Sequence, residues 1–251
     1  MLTTHRKQLI LSRLQADGQI IAKKLSAEFG FSEDTIRRDL RELAQEGRLQ
    51  RVHGGALPAS PAIVDFAGRE SLASEAKRAI GRKAASMIQP GQVVILDGGT
   101  TTRELARNLP LDLRATIVTH SPTIAVALVD HGGVEVILIG GRLFKHSLVS
   151  VGAAAIEAIG RLRADTYFMG VTGIHVEAGL TTGDFEESNV KRALMNAAAE
   201  TIVLASPEKL NAASPYVVSR IDEIDGLVVP AGTPDAVIRP FVSLGISITP
   251  A

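Results

Sequence analysis

Residues 93–102 read Val93-Val94-Ile95-Leu96-Asp97-Gly98-Gly99-Thr100-Thr101-Thr102. Four apolar residues without polar alternation are the pattern of a strand buried on both faces, as in a parallel sheet covered by helices. The strand ends at Asp97, and the two glycines let the backbone approach a ligand closely. Three hydroxyls follow and lead into a helix expected over Thr101 to Asn108. Amide N–H groups at such a helix start have no partner within the helix, so with Gly98, Gly99, Thr100, Thr101 and Thr102 they form an anion cradle suited to a phosphate ester.

Outward from this stretch, helical and strand-like segments alternate. Helices are expected over Glu75 to Ile88, Pro122 to Asp130, Ala153 to Gly160 and Glu186 to Glu200. Strands are expected over Ala115 to Thr119, Val134 to Ile139, Thr166 to Val171 and Thr201 to Ala205. The alternation predicts an open α/β sheet, whose ligands bind at the carboxyl ends of strands. Those ends carry Thr119-His120-Ser121, Gly140-Gly141-Arg142, Gly170-Val171-Thr172-Gly173 and Ser206-Pro207-Glu208-Lys209. Lys209 and Arg142 are expected to neutralise the anion, and Asp97, Asp184 and Glu187 to accept hydrogen bonds from sugar hydroxyls, with His120 nearby. Glu187 and Lys191 are four apart, a spacing that an ordinary helix salt bridge explains equally well.

The chain has 251 residues, 27 basic and 27 acidic side chains and no cysteine. Disulfide scaffolds, thiolate metal sites and cysteine nucleophiles are excluded. No membrane span is expected, and with no secretory leader the cytoplasm is the expected location. The balanced charge hides an asymmetry: residues 1–57 hold ten Lys or Arg against seven Asp or Glu, and the remainder 17 against 20. Two modules follow, residues 1–57 and 75–251, joined by a linker over 58–74 that opens on the proline-flanked segment Pro58 to Pro61.

In the basic module, helices are expected over Thr4 to Ala16 and Ile21 to Phe29, the second ending at Gly30. Ser32 stands as N-cap of a third helix that buries Ile36, Leu40 and Leu43 and exposes Thr35, Arg37, Arg38 and Arg41. Two helices joined by a glycine turn, with a basic face on the second, match a helix-turn-helix reading the major groove of double-stranded DNA. Arg37 or Arg38 can pair with guanine edges, while Thr35 and Arg41 can reach phosphates. Arg48, Arg51 and His53 lie on a strand-like stretch before a turn expected at Gly54-Gly55, a wing beside the DNA backbone or minor groove.

The stretch Phe31-Ser32-x-x-Thr35-Ile36-Arg37-Arg38-Asp39-Leu40, followed by Leu49-x-Arg51-Val52-His53-Gly54-Gly55-Ala56, resembles the winged helix-turn-helix signature of the DeoR family of bacterial sugar-catabolism regulators. The order of motifs over about 75–230 is similar to that family's sensor domain, itself similar to the sugar-phosphate isomerase and deaminase fold. The resemblance implies a repressor of a carbohydrate-catabolism operon, acting on operator DNA, with a phosphorylated sugar as effector. It places the effector on Asp97, Gly99, Thr100, Thr101, Thr102 and Lys209. Coupling the two ligands needs two quaternary arrangements, which a symmetric dimer or tetramer supplies, and no cofactor is expected. This chain departs from the family at Ser206-Pro207-Glu208, where Asp-Ser-Ser is frequent, at His120, where Asn is frequent, and at Phe31, where Val is frequent.

The competing reading is a sugar-phosphate isomerase-like enzyme with a DNA-binding appendage, for which Glu187 and Lys209 are candidate base and electrostatic partner. The apolar Tyr167-Phe168-Met169-Gly170 leaves no acidic loop beside the fourth strand. Gly98-Gly99-Thr100 is not a dinucleotide fingerprint, and the six histidines show no metal-ligand spacing.

Overall fold

The computed structural model describes residues 2–251. The N-terminal module contains α1 (Thr3–Asp17), β1 (Ile20–Ile21), α2 (Ala22–Phe29), α3 (Glu33–Gln45), β2 (Leu49–Val52) and β3 (Gly55–Pro58). Gly18 and Gly30 end α1 and α2 in the left-handed conformation that glycine adopts without penalty. Ser32 caps α3, its hydroxyl accepting from the Thr35 amide. Ser32→Ala is expected to cost about 1 kcal/mol and to lower Tm by a few degrees, read in a thermal melt against a distant surface alanine control.

Ile10, Leu14, Leu25, Ile36, Leu40 and Leu43 form the core of this module. Within it Asp39, a motif residue without an assigned role in the sequence, accepts two hydrogen bonds from the buried Arg6 guanidinium, which also lies 4.7 Å from the Phe31 ring centroid. The expected turn at Gly54-Gly55 sits one residue earlier. Val52 pairs with Gly55, leaving His53-Gly54 as the hairpin tip. Gly55 belongs to β3, where a side chain would meet the Ile20 carbonyl oxygen 1.7 Å away.

Pro58 does not interrupt the ladder; it is the last residue of β3 and pairs with Leu49. The connector then continues as a turn at Pro61–Ile63 and a short helix, α4 (Phe66–Ser71). It packs against the second module instead of hanging free. Ala59 bridges Ala213, and the buried Ser60 hydroxyl donates to the Thr172 carbonyl.

The second module runs α5 (Ser74–Ala85), β4 (Val93–Leu96), α6 (Thr100–Arg107), β5 (Ala115–Thr119), α7 (Pro122–Ala127), β6 (Val134–Leu138), β7 (Arg142–Phe144), β8 (Val149–Val151), α8 (Ala153–Ile159), β9 (Ala164–Met169), β10 (Gly173–His175), β11 (Gly179–Thr182), α9 (Phe185–Ala197), β12 (Ala198–Leu204), β13 (Tyr216–Ser219), β14 (Gly226–Val229), α10 (Asp235–Val242) and β15 (Ser247–Pro250). Seven parallel strands form one sheet in the order β15-β14-β12-β9-β4-β5-β6. Side-chain alternation buries both faces. Ile95, Tyr167 and Val203 pack with α8, α9 and α10 on one side, while Val94, Leu96, Phe168 and Leu204 pack with α5, α6 and α7 on the other.

All five expected strands are present in this sheet. The pattern assigned no element after Ala205, and it missed the β7–β8 hairpin and the small sheet β10-β11-β13. Strands of three or four residues are too short to show a period. Chain order reverses beside β4, with β5 on one side and β9 on the other, so the crevice at the carboxyl ends of β4 and β9 is a topological switch point.

Candidate functional site

At that crevice Asp97 leaves β4 and Gly170 leaves β9. The Asp97 carboxylate is completely enclosed. It accepts from the amides of Gly98 and Gly170, each at 2.8 Å, from His120 Nε2 at 2.8 Å, and from the Lys191 ammonium. Burial alone would raise its pKa, but the charge of Lys191 and the hydrogen bond from His120 hold it well below the ordinary carboxylate range. His120 also places Nδ1 3.0 Å from the Ser150 carbonyl, so both ring nitrogens face oxygen acceptors.

Lys191, buried in α9, bonds the Gly170 carbonyl at 2.8 Å and lies 3.3 Å from Glu187, whose other oxygen accepts from Ser147 at 3.0 Å. Burial opposes its charge, yet Asp97 and Glu187 together raise its pKa. This triad ties β4, β9 and α9 together behind the Gly98–Gly99 turn.

In front of the turn is a cavity lined by Ala62, Arg69, Lys77, residues 98–102, residues 170–172, Glu187, Lys191, Glu208 and Lys209. Its wall carries four cationic side chains and two carboxylates. Gly99, at φ +130°, opens α6, and a side chain on Gly98 would meet Val149 2.1 Å away. The buried Thr101 hydroxyl and Arg69 Nε and Nη2 have no hydrogen-bond partner among the described residues. Burial beside Lys77, Arg69 and Lys191 lowers the Lys209 ammonium to about 7, despite the carboxylate of Glu208. Lys77, also lowered by burial, donates to the Arg69 carbonyl at 2.6 Å. Amides opening a helix, unpartnered donors and four cationic side chains against two carboxylates can together hold an anion. The space left is about 20 Å³, room for little more than one water.

On the N-terminal module, Asp34, Thr35, Arg37, Arg38 and Arg41 of α3 and Arg51 of β2 line one open surface depression. Arg37 is held by Glu33 at 2.9 Å, whereas Arg38, Arg41 and Arg51 form no ion pair among the described residues. Arg48 and His53 are exposed at the base and tip of the wing.

Residues 6–61 match the DeoR-like helix-turn-helix domain, and residues 72–230 match the DeoR C terminal sensor domain. The chain belongs to the DeoR family. It is 36% identical to the HTH-type transcriptional regulator GlpR of Haloferax volcanii, over 99% of this chain and 98% of that one. It is 35% identical to the HTH-type transcriptional repressor GlcR of Bacillus subtilis, over 91% of this chain and 88% of that one. It is 29% identical to the glycerol-3-phosphate regulon repressor of Escherichia coli, over 95% of each chain. This DeoR-family protein is a DNA-binding transcriptional regulator, not an enzyme.

The expected site residues of the regulator divide into three groups. Gly98 to Thr102, Glu187 and Lys209 meet around the cavity. Asp97 and His120 sit behind its wall, with their polar atoms spent on protein partners, so neither is free for a sugar hydroxyl. Arg142 and Asp184 are not part of it. Arg142 is exposed on the β7–β8 hairpin, which carries it away from the crevice. Asp184 is the N-cap of α9 and accepts from the Glu187 amide at 2.9 Å.

Three cations escaped the sequence reading as cavity groups. Lys191 was visible at four residues from Glu187, but that spacing does not distinguish a buried pair from a surface one. Lys77 has the spacing of any helix lysine. Arg69 lies in a connector without period, and nothing local marks it.

Proposed function

We propose that this regulator represses a carbohydrate-catabolism operon and that a phosphorylated sugar in the cavity changes its hold on operator DNA. The observation that carries this reading is the cluster of buried donors, Thr101 and Arg69, left without partners beside the amides opening α6. The name of the Escherichia coli relative, a glycerol-3-phosphate regulon repressor, favours a phosphate ester over a free sugar.

In this conformation the cavity is narrow, so the ligand selects a widened form and its apparent affinity is reduced by the fraction that is widened. Thr35, Arg38, Arg41 and Arg51 face the DNA. One chain carries one recognition helix, and a symmetric dimer or tetramer in the cytoplasm presents two to related half-sites. The free edge of the sheet at β6, where Ile137 and Leu138 are exposed near Val126, is the candidate contact.

Thermal-shift screening of the full chain tests the effector. A sugar phosphate at 100 times its Kd is expected to add about 2.7 kcal/mol, and the unphosphorylated sugar nothing measurable. Equal shifts with both would reject the phosphate site.

The Lys209 ammonium supplies a pH test. In the free protein it loses its proton near pH 7, and a bound phosphate dianion raises its pKa, so binding takes up a proton above pH 7. Because the ester itself is already a dianion there, with its second pKa near about 6, affinity is expected to fall from pH 7 to 8.5 by at most about tenfold per unit. Calorimetry in buffers of different ionisation enthalpy measures the uptake. Lys209→Arg should flatten the profile, and an unchanged slope would remove Lys209 from the site.

A further inference from the structure

The cavity's front wall comes from the connector, which contributes Ala62 and Arg69 to its lining. Four bonds hold this segment down: Ser60 Oγ to the Thr172 carbonyl, the Ser60 amide to the Ala213 carbonyl at 3.3 Å, the Phe66 amide to the His146 carbonyl at 2.9 Å, and His146 Nε2 to the Ile63 carbonyl at 2.9 Å. The turn at Pro61–Ile63 packs on the turn that carries Glu208 and Lys209. With the segment in place about 20 Å³ remains, room for little more than one water.

We propose that residues 59–63 are a lid over the anion cavity, that an anion gains access only when the Ser60 and Ala59 ties to Thr172 and Ala213 release, and that Arg69, on the helix behind the lid, is a ligand of that anion. The inference rests on the phosphate reading of the cavity above. It also supplies a route to DNA. Pro58, whose carbonyl accepts from the Ala213 amide at 3.1 Å, is both the last residue of the wing hairpin and the neighbour of the lid, so lid release frees the wing at its base.

The chain has no cysteine, so Ala59→Cys with Ala213→Cys places one reducible staple across the tie. The experiment measures binding of inorganic phosphate to the full-length double variant, oxidised and reduced, by calorimetry, with unstapled protein alongside. The proposal expects at least tenfold weaker binding when oxidised and recovery on reduction. Equal affinity in the two states overturns the lid but leaves the phosphate site standing. No binding to unstapled protein overturns the phosphate reading and the lid with it.

Ser60→Ala covers the case in which the staple does not form. Loss of one tie should raise the open fraction and tighten phosphate binding about three- to tenfold, a gain that misfolding cannot imitate. Unchanged or weaker binding counts against the lid. In hydrogen exchange, phosphate should speed the Ser60, Ala62 and Ile63 amides, and protection there would overturn the proposal. Arg69→Ala should weaken phosphate binding at least tenfold with partial rescue by Arg69→Lys, and retention of affinity in Arg69→Ala removes Arg69 as a ligand.

Discussion

Asp97→Asn is expected to destabilise the sensor domain by about 3–5 kcal/mol, a fall in Tm on the order of 10 °C. The substitution keeps the shape but removes the charge that faces Lys191 and His120 in a site without solvent. Glu187 at 3.3 Å offsets part of the loss for Lys191, so the cost falls within this range and not beyond it.

The effect has a pH signature. The folded carboxylate has a depressed pKa, so its stabilisation is fully present above the unfolded value of about 4 and is lost as pH falls toward the folded value. Wild-type protein should therefore lose stability on acidification below about pH 4, and Asp97→Asn should show less of that loss. Denaturant melts from pH 7 to pH 3 give both results. A variant as stable as wild type at pH 7 would mean that the charge on Asp97 holds nothing together.

Joint replacement of Arg38, Arg41 and Arg51 by alanine is expected to lower operator affinity by about 10³-fold or more. A guanidinium on a guanine edge is worth about 1–3 kcal/mol, and each phosphate contact contributes roughly 0.9 to the slope of log affinity against log salt. Arg38, nearest the start of α3 of the three, should change base preference when replaced alone, whereas Arg41 and Arg51 should weaken all sequences alike. Arg37→Ala should matter less, because Glu33 already engages that side chain. Fluorescence anisotropy over a salt series separates these outcomes. A triple variant with an unaltered slope would move the DNA contact to another face.

The winged helix was legible in the sequence almost residue by residue. Ser32, the glycine ends of the helices and the buried face of α3 are all local signals, each acting within one or two turns. The same holds for the strand at Val93–Leu96 and the glycine turn that opens α6 after it. The reading of Asp97 failed for a physical reason. A carboxylate at a strand end looks the same whether it faces a ligand or is consumed by buried partners, and those partners, His120, Gly170 and Lys191, come from three other elements. Arg142 failed likewise, since two strands of three residues sufficed to turn it outward.

The sequence by itself determined the two modules, the helix-turn-helix, the α/β alternation and the glycine turn after β4, because capping, side-chain period and glycine conformation operate over a few neighbouring residues. Tertiary structure decided which charges meet and which space stays open. Arg69, Lys77, Lys191 and Lys209 share one cavity, and Ala62 lines it, only because the strand order brings the ends of β4 and β9 together and the connector folds back beside them. Electrostatic neighbours and enclosed volume depend on contacts between residues far apart along the chain, and no local pattern encodes them.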